Sequence, residues 1–174
     1  MSAQEMDLLT GLVTRRSIRR FTEEAVSPAQ MDAILYAALC APSARNRRPF
    51  EFVVVQDRDT LAQMAALNPY APMLGTCAAV IAVCGDANCE VKEEFLLEVC
   101  GAATQNILLA IHGQGLGGVW CGVRTDSEQQ QKLDALLGLP EGVHVYTTVA
   151  LGHPDEVPEP RDYRTPAKLH REHW

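Results

Sequence analysis

The chain has 174 residues, of which 47% are apolar and 21% are charged, and its formal net charge is -7. This composition is ordinary for a globular protein and excludes disordered and fibrous classes. The acidic balance also argues against a nucleic-acid-binding surface.

Hydrophobic periodicity and turn signals predict helices and strands that do not follow a strict strand-helix-strand repeat. Ser27 begins the best-marked helix, because Gln30 completes a capping box and Pro42 ends the helix after Ala41. In chain order, the predicted elements are helix 5–14, helix 28–41, strand 50–56, helix 58–67, strand 80–84, helix 92–112, strand 119–123, helix 127–137 and strand 143–151. This order favours an α+β layer fold over a doubly wound parallel sheet.

No linker or internal repeat divides the chain, which predicts a single domain over residues 1–174. Residues 152–174 are rich in Pro, charge and turn formers, so we expect an extended tail on a surface instead of a part of the core. The N-terminus lacks a basic segment followed by an apolar one, and no uninterrupted apolar run reaches the roughly 18 residues of a membrane span. We therefore expect a cytoplasmic protein with no membrane partner and no nucleic-acid partner.

The six cysteines are widely and irregularly spaced, without a Cys-x-x-Cys pair, and most stand among Ala, Val and Leu. This pattern favours buried, reduced thiols that act as small apolar residues. The alternative is a zinc or iron–sulfur site, although paired short spacings are missing from its four cysteines, Cys77, Cys84, Cys89 and Cys100. We expect no metal.

An arginine-rich segment near the N-terminus carries the strongest functional signal. Residues 15–48 hold seven Arg and three acids, and twelve of the 15 basic residues of the chain are Arg. Guanidinium groups suit phosphate or carboxylate ligands, because the planar fork donates two parallel hydrogen bonds. A solvated face paired with Glu23 and Glu24 would explain the same pattern without a ligand.

A glycine-rich turn at residues 113–118 contains the pattern G-x-G-x-x-G. A dinucleotide fingerprint needs a strand before it and a helix after it, whereas here a helix precedes and a strand follows. A helix C-cap explains one or two of the glycines. Their excess favours a close approach of the backbone to a flat ligand.

A polar connector joins the second helix to the first strand. Its residues Ser43, Asn46 and Arg48 lie between two prolines and supply donors and acceptors suited to the edge of a heterocycle. The plain alternative is a connector without a ligand. A further basic cluster, Arg161 and Arg164, lies in the tail.

Four motifs resemble the FMN-dependent nitroreductase family in order and spacing, over nearly the whole chain. They are Arg15-Arg16-Ser17-Ile18-Arg19, Pro42-Ser43 with Asn46 and Pro49, Gly115-Leu116-Gly117 followed by Trp120, and Arg164-Thr165-Pro166 before Trp174. Two features depart from the family: Arg48-Pro49-Phe50 replaces Gln-Pro-Trp, and the stretch between Asp86 and Glu98 is short.

The resemblance implies a three-layer fold with a central mixed, mainly antiparallel sheet flanked by helices. It implies an enzyme that uses FMN, with NADH or NADPH as reductant, to reduce nitroaromatic, quinone or related electron-poor acceptors. The implied mechanism is ping-pong hydride transfer through flavin N5. The alternatives on the same fold are enone reduction, reductive dehalogenation and flavin destruction; a non-catalytic flavin-binding module is a further one.

The resemblance also assigns residues to the site of a homodimer whose tail, residues 152–174, packs on the second subunit. The FMN phosphate and ribityl chain are assigned to Arg15, Arg16 and Ser17, with Arg161 and Arg164 from the tail. Arg19 is expected to face the N1 and C2 edge of the ring, and no residue acts as a nucleophile. The segment expected to close the ring site of the other subunit comprises Pro42, Ser43, Ala44 and Asn46. The residues expected against the flavin are Leu116, Gly117 and Gly118.

Overall fold

The computed structural model describes residues 6–90 and 92–174 of the chain. Within that part, five α-helices and four β-strands follow the predicted order. The helices are α1 (Leu8–Thr14), α2 (Pro28–Leu39), α3 (Arg58–Ala66), α4 (Glu93–Gly113) and α5 (Glu128–Leu137). The strands are β1 (Phe50–Val55), β2 (Ala79–Asp86), β3 (Gly117–Gly122) and β4 (Val143–Gly152). Position 5 of the predicted first helix lies outside the described residues.

The four strands form one antiparallel sheet in the order β1-β2-β4-β3. Among the described residues, a parallel pairing occurs only as an isolated bridge between Ser17 and Gly118. An antiparallel sheet covered by helices is an α+β fold, so the predicted fold class is confirmed.

Two apolar clusters cover opposite faces of this sheet and give the fold three layers. On one face, α2 and α4 pack on Ile81 and Val83 of β2. On the other face, α3 and α5 pack with Val80 and Ala82 of the same strand. The alternation follows from the two-residue period of a strand, which sends successive side chains to opposite faces.

The start of α2 shows the predicted capping box. The Oγ atom of Ser27 accepts from the backbone N–H of Gln30, and Oε1 of Gln30 accepts from the backbone N–H of Ser27. Two otherwise unsatisfied N–H groups at the helix start are thereby paired. Pro28 occupies the first helical position, where no N–H is needed.

The longest helix, α4, is the central helix of the core. By length and composition alone it could cross a membrane, with a mean hydropathy of 1.4 over an 18-residue window. In this structure, however, its apolar stripe lies against the sheet and other core residues and buries Leu96, Val99, Ile107 and Ile111. A stripe buried inside the protein is what a core helix presents.

After β4, the chain doubles back over the residues that follow α1. The backbone N–H of Thr22 donates to the carbonyl of His153, and that of Asp155 donates to the carbonyl of Arg20, both at 2.9 Å. Residues 157–174 are exposed throughout. The tail therefore lies outside both apolar clusters, and its first part is fixed to the arginine-rich segment.

Candidate functional site

The arginine strap, residues 15–21, leaves α1 and crosses the start of β3. The backbone N–H of Ile18 donates to the carbonyl of Gly118 at 3.0 Å, and the Ile18 residue is only 7% exposed. A Cβ atom on Gly117 would lie 2.7 Å from Cγ2 of Ile18. The strap can approach β3 this closely only because position 117 carries no side chain.

This contact gives the glycine-rich turn a role in internal packing that the sequence did not reveal. A Cβ atom on Gly118 would lie 3.0 Å from Cδ1 of Ile111. Gly115 has a φ of 74°, in the left-handed region that favours glycine. The contact with a flat ligand that was predicted for Leu116, Gly117 and Gly118 is compatible with this packing role and stays a prediction.

Glu156 of the tail holds the strap in place, and sequence reasoning missed it. Its carboxylate accepts from the backbone N–H groups of Arg19 and Arg20, and lies 3.5 Å from Nε of Arg20. These contacts, led by the Arg19 N–H, lower the pKa of Glu156 below its ordinary 4.5. The partners are 136 or 137 positions apart in the sequence, so no local pattern signals the contact.

A cavity of about 950 Å³ opens between the strap and the tail, and we call it the tail pocket. It brings together five of the predicted site residues, which are Arg15, Arg16, Ser17, Arg161 and Arg164. Four guanidinium groups thus share one cavity with a single carboxylate, that of Asp162. Such a concentration of forked donors suits a phosphate.

Arg16 ties the tail to the strap. Its Nη1 donates to the carbonyls of Val13 at 2.9 Å and Arg15 at 2.8 Å, and its Nη2 donates to the carbonyl of Arg161 at 3.1 Å. The guanidinium also lies 5.3 Å from the ring centroid of Tyr163. Its Nε is buried and has no acceptor. A buried N–H without a partner is costly, so an acceptor at this point would stabilise the site.

Arg164 is paired within its own chain. Its Nε and Nη2 donate to the carboxylate of Asp162 at 2.9 and 2.6 Å, which lowers the pKa of Asp162. The Arg164 side chain is 89% exposed, and exposed pairs of this kind contribute little to stability. A bound anion can therefore accept hydrogen bonds from Arg164, alongside or in place of Asp162, at a small cost in free energy. The side chains of Arg15 and Arg161 form no ion pair within the described residues.

The strand pocket, a cavity of about 300 Å³ that contains Arg19, lies on the β3 side of the strap. Arg19 shares this wall with Cys121, whose pKa is raised by burial against the opposing charge of Arg19. Sequence reasoning named only Arg19 as a site residue here. The other lining residues are Asn68, Tyr70, Ala71, Met73, Val119, Trp120, Cys121, Gly122, Arg124 and Gln129. They come from segments far apart in the sequence, so no local motif marks this cavity.

The connector between α2 and β1 is set apart from these pockets. Its predicted site residues, which line neither the tail pocket nor the strand pocket, are Pro42, Ser43, Ala44 and Asn46. Arg45, Asn46 and Arg48 have φ values of 55°, 53° and 54°, a conformation that non-glycine residues rarely adopt. Such strain persists only where surrounding contacts hold it.

Two sets of contacts hold this connector. The Oγ atom of Ser43 accepts from the backbone N–H of Arg48 at 2.9 Å. Nη1 of Arg47 donates to the carboxylate of Glu90 at 3.0 Å, and the Glu90 side chain is only 7% exposed. Arg48 itself places its guanidinium 5.4 Å from the ring centroid of Phe50. The connector is thus fixed to the segment that follows β2.

Beneath the strap, a cavity of about 240 Å³ contains His112 from the last turn of α4. Its Nε2 lies 2.9 Å from Oγ1 of Thr14, whose hydroxyl donates to the carbonyl of Thr10. Because that hydroxyl proton is used, Thr14 accepts and Nε2 of His112 carries the proton. Burial, and then the charges of Arg15 and Arg16, lower the pKa of His112 below its ordinary 6.5. Four of the predicted site residues also line this cavity, namely Arg15, Arg16, Leu116 and Gly118.

The cysteines divide into two groups, and none forms a disulfide. The buried ones are Cys77, Cys84, Cys100 and Cys121. Burial raises the pKa of Cys77 to about 11 and those of Cys84 and Cys100 to about 12, so these thiols are unreactive. Cys40 and Cys89 are exposed, so burial holds for four of the six cysteines. Among residues 6–90 and 92–174, no group of three or more His, Cys, Asp or Glu could hold a metal ion.

Comparison with known proteins adds a family to this geometry. The model of the family described as "Nitroreductase family" matches residues 12–70 and 63–153. A protein of Methanothermobacter thermautotrophicus, named as a candidate NADH dehydrogenase/NAD(P)H nitroreductase, is 39% identical over 170 residues, which cover 98% of this chain and 89% of that one.

One further protein resembles the chain in sequence and another resembles it in structure. The NADPH-flavin oxidoreductase of Vibrio harveyi is 36% identical, with 91% of this chain and 70% of that protein covered. The solved structure of an FMN-dependent nitroreductase of Clostridium difficile R20291 superposes with a TM-score of 0.89 at 27% identity, covering 96% of this chain and 100% of that one.

Proposed function

Because the chain belongs to the nitroreductase family, we propose that residues 1–174 form a single FMN-binding domain of an oxidoreductase. The enzyme passes electrons from NADH or NADPH to nitroaromatic, quinone or related electron-poor acceptors. The names of its relatives, an NADPH-flavin oxidoreductase and an FMN-dependent nitroreductase among them, support this proposal. The observation that carries it is the tail pocket, which four arginines and a single carboxylate residue line.

The tail pocket fits the phosphate end of FMN. A phosphate carries about two negative charges near neutral pH and has several acceptor oxygens. Arg15 and Arg161 offer unpaired guanidinium groups, and Ser17 offers a hydroxyl in the same cavity. The buried Nε of Arg16 lacks an acceptor. The cavity volume lies at the upper end of the range of about 300–1,000 Å³ for ligand sites.

The two pockets along the strap support a proposed placement of the two ends of the cofactor. Arg15 and Ser17 belong to the tail pocket, while Arg19 belongs to the strand pocket, so the strap itself spans the site. In this proposal, Arg19 faces the N1 and C2 edge of the ring. The start of β3, with Leu116, Gly117 and Gly118, lies beside the cofactor.

FMN, when bound, supplies the redox chemistry, which is ping-pong hydride transfer through its N5 atom. The chain contributes binding, orientation and electrostatics. The carboxylate of Glu156 accepts from the backbone N–H of Arg19 and so fixes the Arg19 backbone. The Arg19 side chain is left free to act on the ring edge. A cation at that edge favours negative charge on the ring.

We further propose a homodimer with two flavin sites at its interface. α1 exposes Leu8 and Leu9, each 69% exposed, and the tail ends in Trp174, which is 101% exposed. Apolar patches of this kind mark interaction surfaces. The connector that carries Ser43 lines neither the tail pocket nor the strand pocket of its own chain, as expected if it closes the site of a second subunit. A two-fold interface makes this exchange reciprocal.

The dimer proposal has a direct test. Light scattering of the FMN-loaded protein should give the mass of a dimer. The interface of that dimer should bury more than roughly 2,000 Å² in total. Removing residues 165–174 spares Glu156 and Asp155, which hold the strap, and should weaken both dimer and flavin binding. A monomer that keeps FMN at full occupancy would exclude a shared site.

The cofactor and the reaction are tested together on purified protein. The protein should be yellow, and denaturation should release about one FMN per chain. The loaded protein should oxidise NADH or NADPH in the presence of a quinone or nitroaromatic acceptor. A colourless protein that fails to bind added FMN would overturn the proposal. We place the enzyme in the cytoplasm, where NAD(P)H is available and free thiols such as Cys40 and Cys89 persist.

A further inference from the structure

The strand pocket contains a second cation beside Arg19. Arg124, on the loop between β3 and α5, lines the same cavity of about 300 Å³. Arg19 and Arg124 are both exposed, and neither forms an ion pair within the described part of the chain. Three other arginines of this chain do pair with carboxylates. As in the tail pocket, two unpaired guanidinium groups thus share one cavity, in a chain with a net charge of -7.

No acidic side chain offsets these charges in the cavity wall. The remaining lining residues are neutral. Asp126 and Glu128 follow Arg124 in the sequence, but neither lines the cavity, and Glu128 is paired with Lys132 at 2.7 Å. Glu156 accepts from the backbone N–H of Arg19 but does not line this cavity either. The wall of the cavity therefore carries two positive charges and no negative one, an arrangement that favours an anionic ligand.

Two aromatic side chains complete the wall. Trp120 of β3 is 43% exposed, and Tyr70, after α3, is 91% exposed. Both are large flat surfaces on which a ring can pack, and such rings pair favourably in stacked or edge-to-face geometry. A cavity that combines exposed rings with free guanidinium groups matches a ligand that combines an aromatic ring with an anionic group.

We propose that Arg124 is a specificity-determining residue, which selects aromatic electron acceptors that carry a carboxylate or sulfonate group. The proposal rests on the function proposed above, in which Arg19 serves the flavin ring and leaves Arg124 for the acceptor. The guanidinium of Arg124 donates two hydrogen bonds to the anionic group, while the ring of the acceptor packs near Trp120. A neutral acceptor of the same shape gains only the packing.

The test compares 4-nitrobenzoate with 4-nitrobenzamide, two acceptors of nearly equal shape, on FMN-loaded enzyme. Wild type should prefer the anion in kcat/KM, and Arg124→Gln should lower the ratio of anion to amide by about tenfold, the loss of one charge-assisted contact. Arg124→Lys should keep part of the ratio. Lys132→Gln is the matched control, since it removes the same charge from nearby α5 outside the cavity, and it should leave the ratio unchanged.

A binding measurement separates this inference from the proposed function. In a Trp174→Phe background, Trp120 is the remaining tryptophan, and 4-nitrobenzoate should quench its fluorescence more weakly after Arg124→Gln. This measurement needs no turnover. If the protein is inactive as a reductase but Arg124→Gln still weakens the quenching, the reductase proposal is wrong and the anion site stands. An equal ratio in wild type and Arg124→Gln, or an equal fall in Lys132→Gln, would overturn the role of Arg124. So would a change confined to the KM for NADPH.

Discussion

Replacing Gly117 by Ala should loosen the arginine strap and weaken flavin binding. The new Cβ atom would lie 2.7 Å from Cγ2 and 2.8 Å from Cβ of Ile18, whereas ordinary contacts begin at 3.4 Å. Rotation of the Ile18 side chain cannot remove the contact with its Cβ atom. The strap and β3 must therefore separate by about 0.6 Å, the difference between 3.4 and 2.8 Å.

The displacement has two expected costs. Overpacking of this size destabilises a fold by roughly 1–3 kcal/mol. Because Arg15, Ser17 and Arg19 move with Ile18, the donors proposed for both ends of the cofactor are also displaced. Misplacement by about 1 Å can cost on the order of a hundredfold in a preorganised site, so we expect FMN affinity to fall roughly ten- to a hundredfold.

Flavin fluorescence titration and urea unfolding of the same protein measure the two costs. Gly113→Ala is the control, since nothing lies within 4 Å of a Cβ at that helical position. Adding Ile18→Ala to Gly117→Ala should restore part of the affinity, because it removes Cγ1 and Cγ2. If Gly117→Ala bound FMN as tightly as Gly113→Ala, the close approach of strap and β3 would not shape the site.

Three further outcomes follow from the site. Arg15→Ala should weaken FMN binding about ten- to a hundredfold, with turnover of fully loaded enzyme much less affected, as titration followed by saturating assays would show. Glu90→Ala should lower the free energy of unfolding by about 2 kcal/mol in urea, less than for a fully buried pair because Arg47 is 37% exposed. Stability should fall as pH drops below about 6.5, since folding lowers the pKa of His112 and the unfolded state binds more protons; His112→Gln should reduce that slope.

Features written in local sequence were predictable. Ser27 and Gln30 lie three residues apart, and their capping box depends on nothing else in the chain. The strands of the sheet were recognisable because β-branched and aromatic residues cluster in short runs. Helix and strand ends differ by a few residues from the predicted ones; β3, for example, begins at Gly117, where the sequence predicted 119.

Features that join distant segments were not predictable. The contact of Glu156 with Arg19 depends on the path of the tail, and the strand pocket exists only after several segments meet. Sequence reasoning explained the glycines by a flat ligand, because it could not show that Ile18 would pack on Gly117. The resemblance to a family placed Arg15, Arg164 and Ser17 in one site, which residue patterns alone could not do.

The position of the strap has a consequence for solubility. In the order β1-β2-β4-β3, the last strand is an edge, and an uncovered edge can pair with a strand of another molecule. The strap covers the start of that edge through its bridge at Gly118. Variants in which the strap is detached are therefore expected to aggregate through β3 as well as to lose activity. The same is expected of protein in which loss of the cofactor has loosened the strap.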